Sequence, residues 1–349
     1  MLGAACIAGA AHNLSAGGYV GGPPSPAGVA MNRVRVSDGQ IFAFTPNLQP
    51  VAATGPGEVF EVECQDSCGG QIRTEADLLS KIDLDHVNGA TGPIEIVGAK
   101  PGDTLRVRVL GLRVGTTGYV GIEPQLGVLG DRVKAAKTRL LPVRGGFARF
   151  SEDLQIPIQP HIGTIGVATA SESLSTFYPG DHGGNLDTRE IRAGNTLYLP
   201  VFQPGAMLAV GDVHALMADG EVCVTGIEID GVARFRTDLL PDVRLRRPVV
   251  ETRDAWIVLA SAPDLDEAAK TATADAVDLL ARGRGMVWED AYMLASLVCD
   301  LRISQDVDPN RTCKMVIPKA YLPRLPGMRT PSPARGTRRL RKAVHRPRR

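Results

Sequence analysis

Between Gly180 and Glu221 the sequence gathers acids and histidines among glycines, first in GDHGGNLDTRE and again in GDVHALMADGE. His182, His214, Asp181, Asp187, Asp212, Asp219 and Glu221 all fall in this stretch. Carboxylates beside imidazoles are the raw material of a divalent-metal site or of a general acid/base pair. A further acid, Asp66, stands in CQDSCGGQI, after the strand-like EVFEVEC and just before Gly69 and Gly70. An acid leaving a strand into a glycine loop is a frequent site position, and equally a frequent turn cap.

These side chains can act together only if the backbone aims them. Leu208 to Val210 reads as a strand, and if it continues, Asp212 and His214 project to one side. The alternative is a turn capped by Asp212, with His214 hydrogen-bonded in a wall. Gly180, Gly183 and Gly184 allow positive-φ backbone, which would let a loop carry His182 and Asp187 inward. Asn185 and Asp187 also suit ordinary turns. The adjacent Gly183 and Gly184 offer backbone N–H groups to a developing oxyanion. His86 and His161 each precede glycine-rich, strand-like sequence and read equally as satisfied structural histidines.

The rest of the chain favours strands. Its 39 glycines and 25 prolines divide short alternating runs, among them 58–64, 103–114 and 221–235. Asp230-Gly231 reads as a hairpin turn between two such runs. After Trp256 the texture changes. Asp264 predicts an N-cap, Leu265, Ala269, Ala272, Ala276, Leu279 and Leu280 recur at helical spacing, and Gly283 predicts the stop. A second helix is expected from about Val287 to Cys299, followed by the strands LRISQDV and CKMVIP. The expected fold is mostly β, a sandwich or barrel, with a smaller α+β portion towards the C-terminus. The expected organisation is a flexible segment over 1–39, a β-rich region over 40–250, an α+β region over 251–322 and a disordered basic tail over 323–349.

Composition removes several function classes. The net charge of +1 conceals ten Lys/Arg and no acids from Arg324 onward, leaving 29 basic against 38 acidic residues elsewhere. An acidic body with 5% aromatics offers no platform for specific nucleic-acid binding. No apolar run is long enough to span a bilayer, so a membrane role is not expected. Six cysteines in a chain of 349 residues do not form a disulfide scaffold, and reduced thiols in a cytoplasmic protein are expected. Dinucleotide, P-loop, G-x-S-x-G and H-E-x-x-H motifs are all absent from the sequence.

Several segments together carry a resemblance. FTPNLQPVAATGPGEVFEVECQDSCGGQI, TGPIEIVGAKPGDTL and HIGTIGVA are followed by the long run from GDHGGNLDTREIRAGNTLYLP to DGEVCVTGIE, and then by EDAYMLASLVCDLRISQDVDP. In this order, over roughly residues 40 to 318, the chain resembles the acetamidase/formamidase family. The resemblance implies a mostly β fold and hydrolysis of short linear amides to carboxylate and ammonia, with a homo-oligomer as the expected assembly. It raises Asp66, His182, Asp187, Asp212, His214 and Glu221 as site residues. The expected mechanism is metal-assisted. Asp66, His182, Asp212 and His214 hold a divalent ion, zinc or alternatively calcium. Glu221 or Asp187 moves the proton, and Gly183–Gly184 assists the oxyanion. Two other readings compete: a metal-independent amidase with Cys68 as nucleophile, and a non-catalytic β-sandwich binding protein.

Overall fold

Alternation of apolar and polar residues builds the larger of two facing sheets. Val59–Cys64 buries Phe60, Val62 and Cys64, and Thr104–Val114 buries Leu105, Val107 and Val109, each on one face of its strand. Gly231–Leu240 lies between them, antiparallel to both. The computed structural model describes residues 32–328 and the short strand Tyr19–Val20. Among these residues the large sheet has ten strands, and it continues through Thr196–Pro200, Val249–Glu251, Ala255–Ala262 and Arg311–Pro318 to Asp300–Gln305 at its edge.

A six-stranded sheet faces it. Its order is Gly183–Asn185, His161–Gly166, Leu208–His214, Ala90–Ile96 and Gln40–Ile41, with Ala52–Thr54 also on Ala90–Ile96. Val107, Val109 and Phe235 from one sheet meet Ile162, Ile165, Val210 and Val213 from the other in one apolar core. The fold is therefore a β-sandwich, as expected. Every residue of His161–Gly166 and of Leu208–His214 is buried, so polar side chains on these strands meet solvent only where a cleft opens over them.

The two helices lie near the C-terminus. α1 (Leu265–Arg284) starts where the Asp264 carboxylate accepts from the N–H groups of Asp266 (2.9 Å) and Glu267 (3.2 Å). It ends at Gly285, in left-handed conformation, rather than at Gly283. Gly283 is a packing glycine instead: a Cβ there would stand 2.3 Å from Leu322 Cδ1. α2 (Trp288–Val298) follows. Ala272, Ala276, Leu279 and Leu280 pack on Trp256, Met315 and Ile317, forming a second core.

Three details differ from the sequence expectation. The boundary at residue 250 is crossed by one sheet, because Val249–Glu251 pairs with Thr196–Pro200 and with Ala255–Ala262. Order also begins before residue 40: Asn32–Val34 runs parallel to Val59–Cys64. Finally, Asp230-Gly231 closes no hairpin. Glu221 and Val224 turn the chain at positive φ, and only isolated bridges from Glu228 precede the strand at Gly231. Most of the expected N-terminal segment and basic tail lies outside the described residues. Among the described residues no helix is long and apolar enough to cross a membrane.

Candidate active site

Strand pairing in the smaller sheet assembles the site. His161 stands opposite His214 in register, and Thr164 stands opposite Asn185. The strand at Val210 does continue, and Asp212 and His214 reach the same place: His214 Nε2 is 3.3 Å from Asp212 Oδ1. Glu228 Oε1 lies 3.1 Å from that nitrogen and Glu221 Oε1 lies 4.0 Å from it. Asp187 Oδ1 lies 3.9 Å from the other ring nitrogen, Nδ1. All five residues are buried.

The backbone bends to make this grouping possible. Of the eight non-glycine residues with positive φ among the described residues, five line one cleft: Asn88, Asp187, Asp212, Glu221 and Val224. Left-handed backbone at side chains with a Cβ costs energy, and its concentration here marks a place where geometry has been fixed against local preference. Gly163 contributes by lacking a side chain. A Cβ there would fall 2.4 Å from Asp212 Oδ2 and 2.5 Å from Asp187 Oδ1. The cleft has a volume of about 450 Å³, and its floor carries Asp187, Asp212, His214, Glu221, Glu228 and Asp308.

Hydrogen bonds orient the two imidazoles. His161 Nδ1 is 3.3 Å from the carbonyl of Gln159, which can only accept, so that nitrogen carries the proton. His161 Nε2 is then an acceptor, and His214 Nδ1 donates to it at 3.1 Å. Burial and the facing His214 hold His161 well below the usual histidine range, which suits this neutral role. His214 Nε2 consequently faces Asp212, Glu221 and Glu228, and a proton on it is shared with Asp212 and Glu228.

That arrangement is short of positive charge. Burial first, then Asp212, pushes Asp187 up to about 7. Burial also raises Glu221, Glu228 and Asp308; Asp187 adds most among the neighbours of Glu221 and Asp308, while His214 partly offsets the rise at Glu228. Burial alone would lower His214, but Glu228 and Asp212 outweigh it and hold the imidazole well above its ordinary range. Asp187 Oδ1, Asp212 Oδ1 and Glu228 Oε2 are buried with no hydrogen-bond partner. Two overlapping triplets, Asp187–Asp212–His214 and His214–Glu221–Glu228, keep their ligand atoms within 4.8 Å of one another. Oxygen and imidazole donors with unmet acceptor capacity fit a divalent cation.

The structure brings together Asp187, Asp212, His214 and Glu221. It does not bring Asp66, His182, Gly183 or Gly184 to the same point. Asp66 Oδ1 accepts from the N–H groups of Cys68 (2.9 Å) and Gly70 (3.2 Å), capping the turn beneath the cleft. His182 packs its ring 4.9 Å from Phe44, and burial pushes it down to about 4. The Gly183 N–H donates to the Gly180 carbonyl, while Gly184 pairs with Ile165; both glycines admit close strand approach rather than facing the cleft.

Sequence reasoning passed over Glu228 and Asp308 and left His161 undecided. Asp308 accepts from Asn185 Nδ2 at 3.0 Å and contacts Asp187. Both acids lie inside segments that carry the family resemblance, VTGIE and ISQDVDP, which was the available signal.

The fold is thus a β-sandwich with a buried carboxylate–imidazole cluster at the floor of one cleft. The model of the Acetamidase/Formamidase family matches residues 38–178 and 168–322, and the chain belongs to that family. It is similar to a formamidase of Methylophilus methylotrophus, 28% identical over an alignment of 265 residues, which covers 59% of this chain and 65% of that protein. An acetamidase of Mycolicibacterium smegmatis is 26% identical over 56% of this chain and 64% of its own length. The matched part thus spans about two-thirds of these relatives' length. The crystal structure of an acetamidase from Bacillus halodurans superposes with a TM-score of 0.81 at 37% identity, covering 84% of this chain and 99% of that one.

Proposed function

We propose that this protein hydrolyses short linear amides to carboxylate and ammonia with the help of a divalent cation, zinc being the ion expected. The observation that supports this reading is His214 Nε2 facing three buried carboxylates, with oxygens of Asp187, Asp212 and Glu228 unpartnered among the described residues. The relatives named formamidase and acetamidase supply the substrate class.

Asp212, His214 and Glu228 would hold the ion, with His161 fixing the His214 tautomer. Such an ion supplies Lewis acidity to the amide carbonyl and to water at neutral pH. Asp187 and Glu221 handle protons. Burial raises both, Asp187 to about 7, so that a proton taken from water can be held there and returned to the departing nitrogen, which leaves as ammonia. Asp308 and Asn185 keep Asp187 oriented. The metal-independent alternative is weakened by Cys68, whose thiol burial pushes up to about 12, away from the reactive thiolate.

The test is ammonia release from formamide and acetamide, before and after chelation and with zinc added back. Activity lost on chelation and restored by zinc is expected. Release indifferent to chelation would transfer attention to Cys68, and no release from either amide would leave a binding protein.

A further inference from the structure

Acetamide has four non-hydrogen atoms and fills roughly 100 Å³, about three waters' share of liquid. The cleft above the carboxylates holds about 450 Å³, within the range of pockets that bury much larger ligands. Most of it would remain empty over the smallest amides. One side of that surplus space is apolar, while Ser67, Asn88, Thr225 and Arg311 also border the cleft. Leu79, Ile82 and Phe177, with Cys68 and Val87, form a wall that belongs to a small cluster of its own, separate from the sandwich core, with Ile72 and Tyr119 behind it. At the mouth stand Leu84 and Leu126, 68% and 45% exposed. Leucines left in water at the rim of a cleft, joined to an apolar wall inside it, are placed as a surface for an apolar group to cover.

We infer that the preferred substrates are primary amides whose acyl part is apolar and of roughly four to eight carbons, its chain lying on the Leu79–Ile82–Phe177 wall while the amide meets the carboxylate floor. This rests on the amide-hydrolase reading and narrows it. Polar acyl groups are disfavoured on this wall, where a hydroxyl or charge would lose its hydration without finding a partner among Leu79, Ile82 and Phe177. The amide end must stay unsubstituted, because the acidic floor is where the departing nitrogen takes its proton.

The experiment measures kcat/KM for ammonia release from formamide, acetamide, butyramide and hexanamide with the metal-loaded protein, alongside direct binding of each amide by calorimetry. Each methylene that reaches the wall raises kcat/KM roughly fourfold. Replacing the two rim residues together (Leu84→Ser with Leu126→Ser) changes exposed side chains only and lowers the hexanamide-to-acetamide ratio roughly tenfold. Turnover and binding that are best for formamide and fall with every added carbon would overturn the inference while keeping the hydrolase reading. A ratio unmoved by the rim variant would overturn it as well. Hexanamide binding more tightly than acetamide, with no ammonia from any of them, would remove the hydrolase reading and leave the apolar acyl site standing.

Discussion

The molecule sets acids around a buried basic group in two places and treats them in opposite ways. Around Lys314, which is wholly buried, Glu190 Oε2 lies at 2.8 Å and Asp219 Oδ1 at 2.6 Å from Nζ. Around His214, every ion-pair contact recorded for Asp187, Asp212, Glu221 and Glu228 among the described residues runs to one imidazole. The first group carries its own permanent cation, so its acids are satisfied structural elements. The second lacks one, and its carboxylates repel each other. A fold that places a buried lysine beside two acids has not done so where the cleft opens. The difference separates acids that are neutralised within the fold from acids that are not.

The contrast yields predictions of decreasing size. His214→Ala removes the shared partner of all four cleft acids, and ammonia release should fall at least about 1000-fold, with zinc retention, measured by metal analysis after dialysis, falling alongside. A protein that still binds zinc and turns over amides after this change would end the assignment. Lys314→Met does the reverse. It strands Glu190 and Asp219, so urea titration should show a loss of about 3 kcal/mol. An unchanged midpoint would show that the buried lysine is not the neutraliser we take it for.

Asp187→Asn should give up activity and gain stability in the metal-free protein, by about 2 kcal/mol near neutral pH, because it relieves repulsion in the cleft. The gain has a defined pH dependence. Asp187 titrates near 3.8 when unfolded and near 7 when folded, so the native state is not penalised below the first value and is fully penalised above the second. The stability difference between variant and parent should therefore widen from about pH 4 to about pH 7 and then level off. A constant difference across that window would place Asp187 outside the repelling group. The smallest effect is expected from Asp219→Asn, which leaves Lys314 its Glu190 partner and involves a half-exposed acid. A loss of about 1 kcal/mol in the same urea titration is the expected result.

Much of this was legible before any coordinates. Period-two alternation gives the strands of the large sheet, and the Asp264 cap with its apolar spacing gives α1. The i, i+2 relation of Asp212 and His214 is a property of any strand, which is why that half of the site could be read directly. Glu228 could not. It sits in a run that alternates like a strand, yet the chain there wraps around His214 through positive-φ residues that sequence periodicity does not reveal. Asp308 reaches the site across 123 residues of separation from Asn185, a distance no local pattern spans. Asp66 and His182 have the right chemistry and the right neighbours in sequence, but a turn takes one carboxylate and an aromatic contact takes the other ring. Residue type nominates candidates; only the path of the backbone decides which ones meet.

Gly163 has a consequence for how this gene can drift. Every single-base change in a glycine codon that yields another amino acid introduces a side chain, and even a methyl group would occupy the space taken by the oxygens of Asp212 and Asp187. Mutation therefore offers no neighbouring variant that leaves the two acids where they are. The position is a hydrogen atom wide, and in lineages that depend on these acids selection can tolerate only synonymous change there.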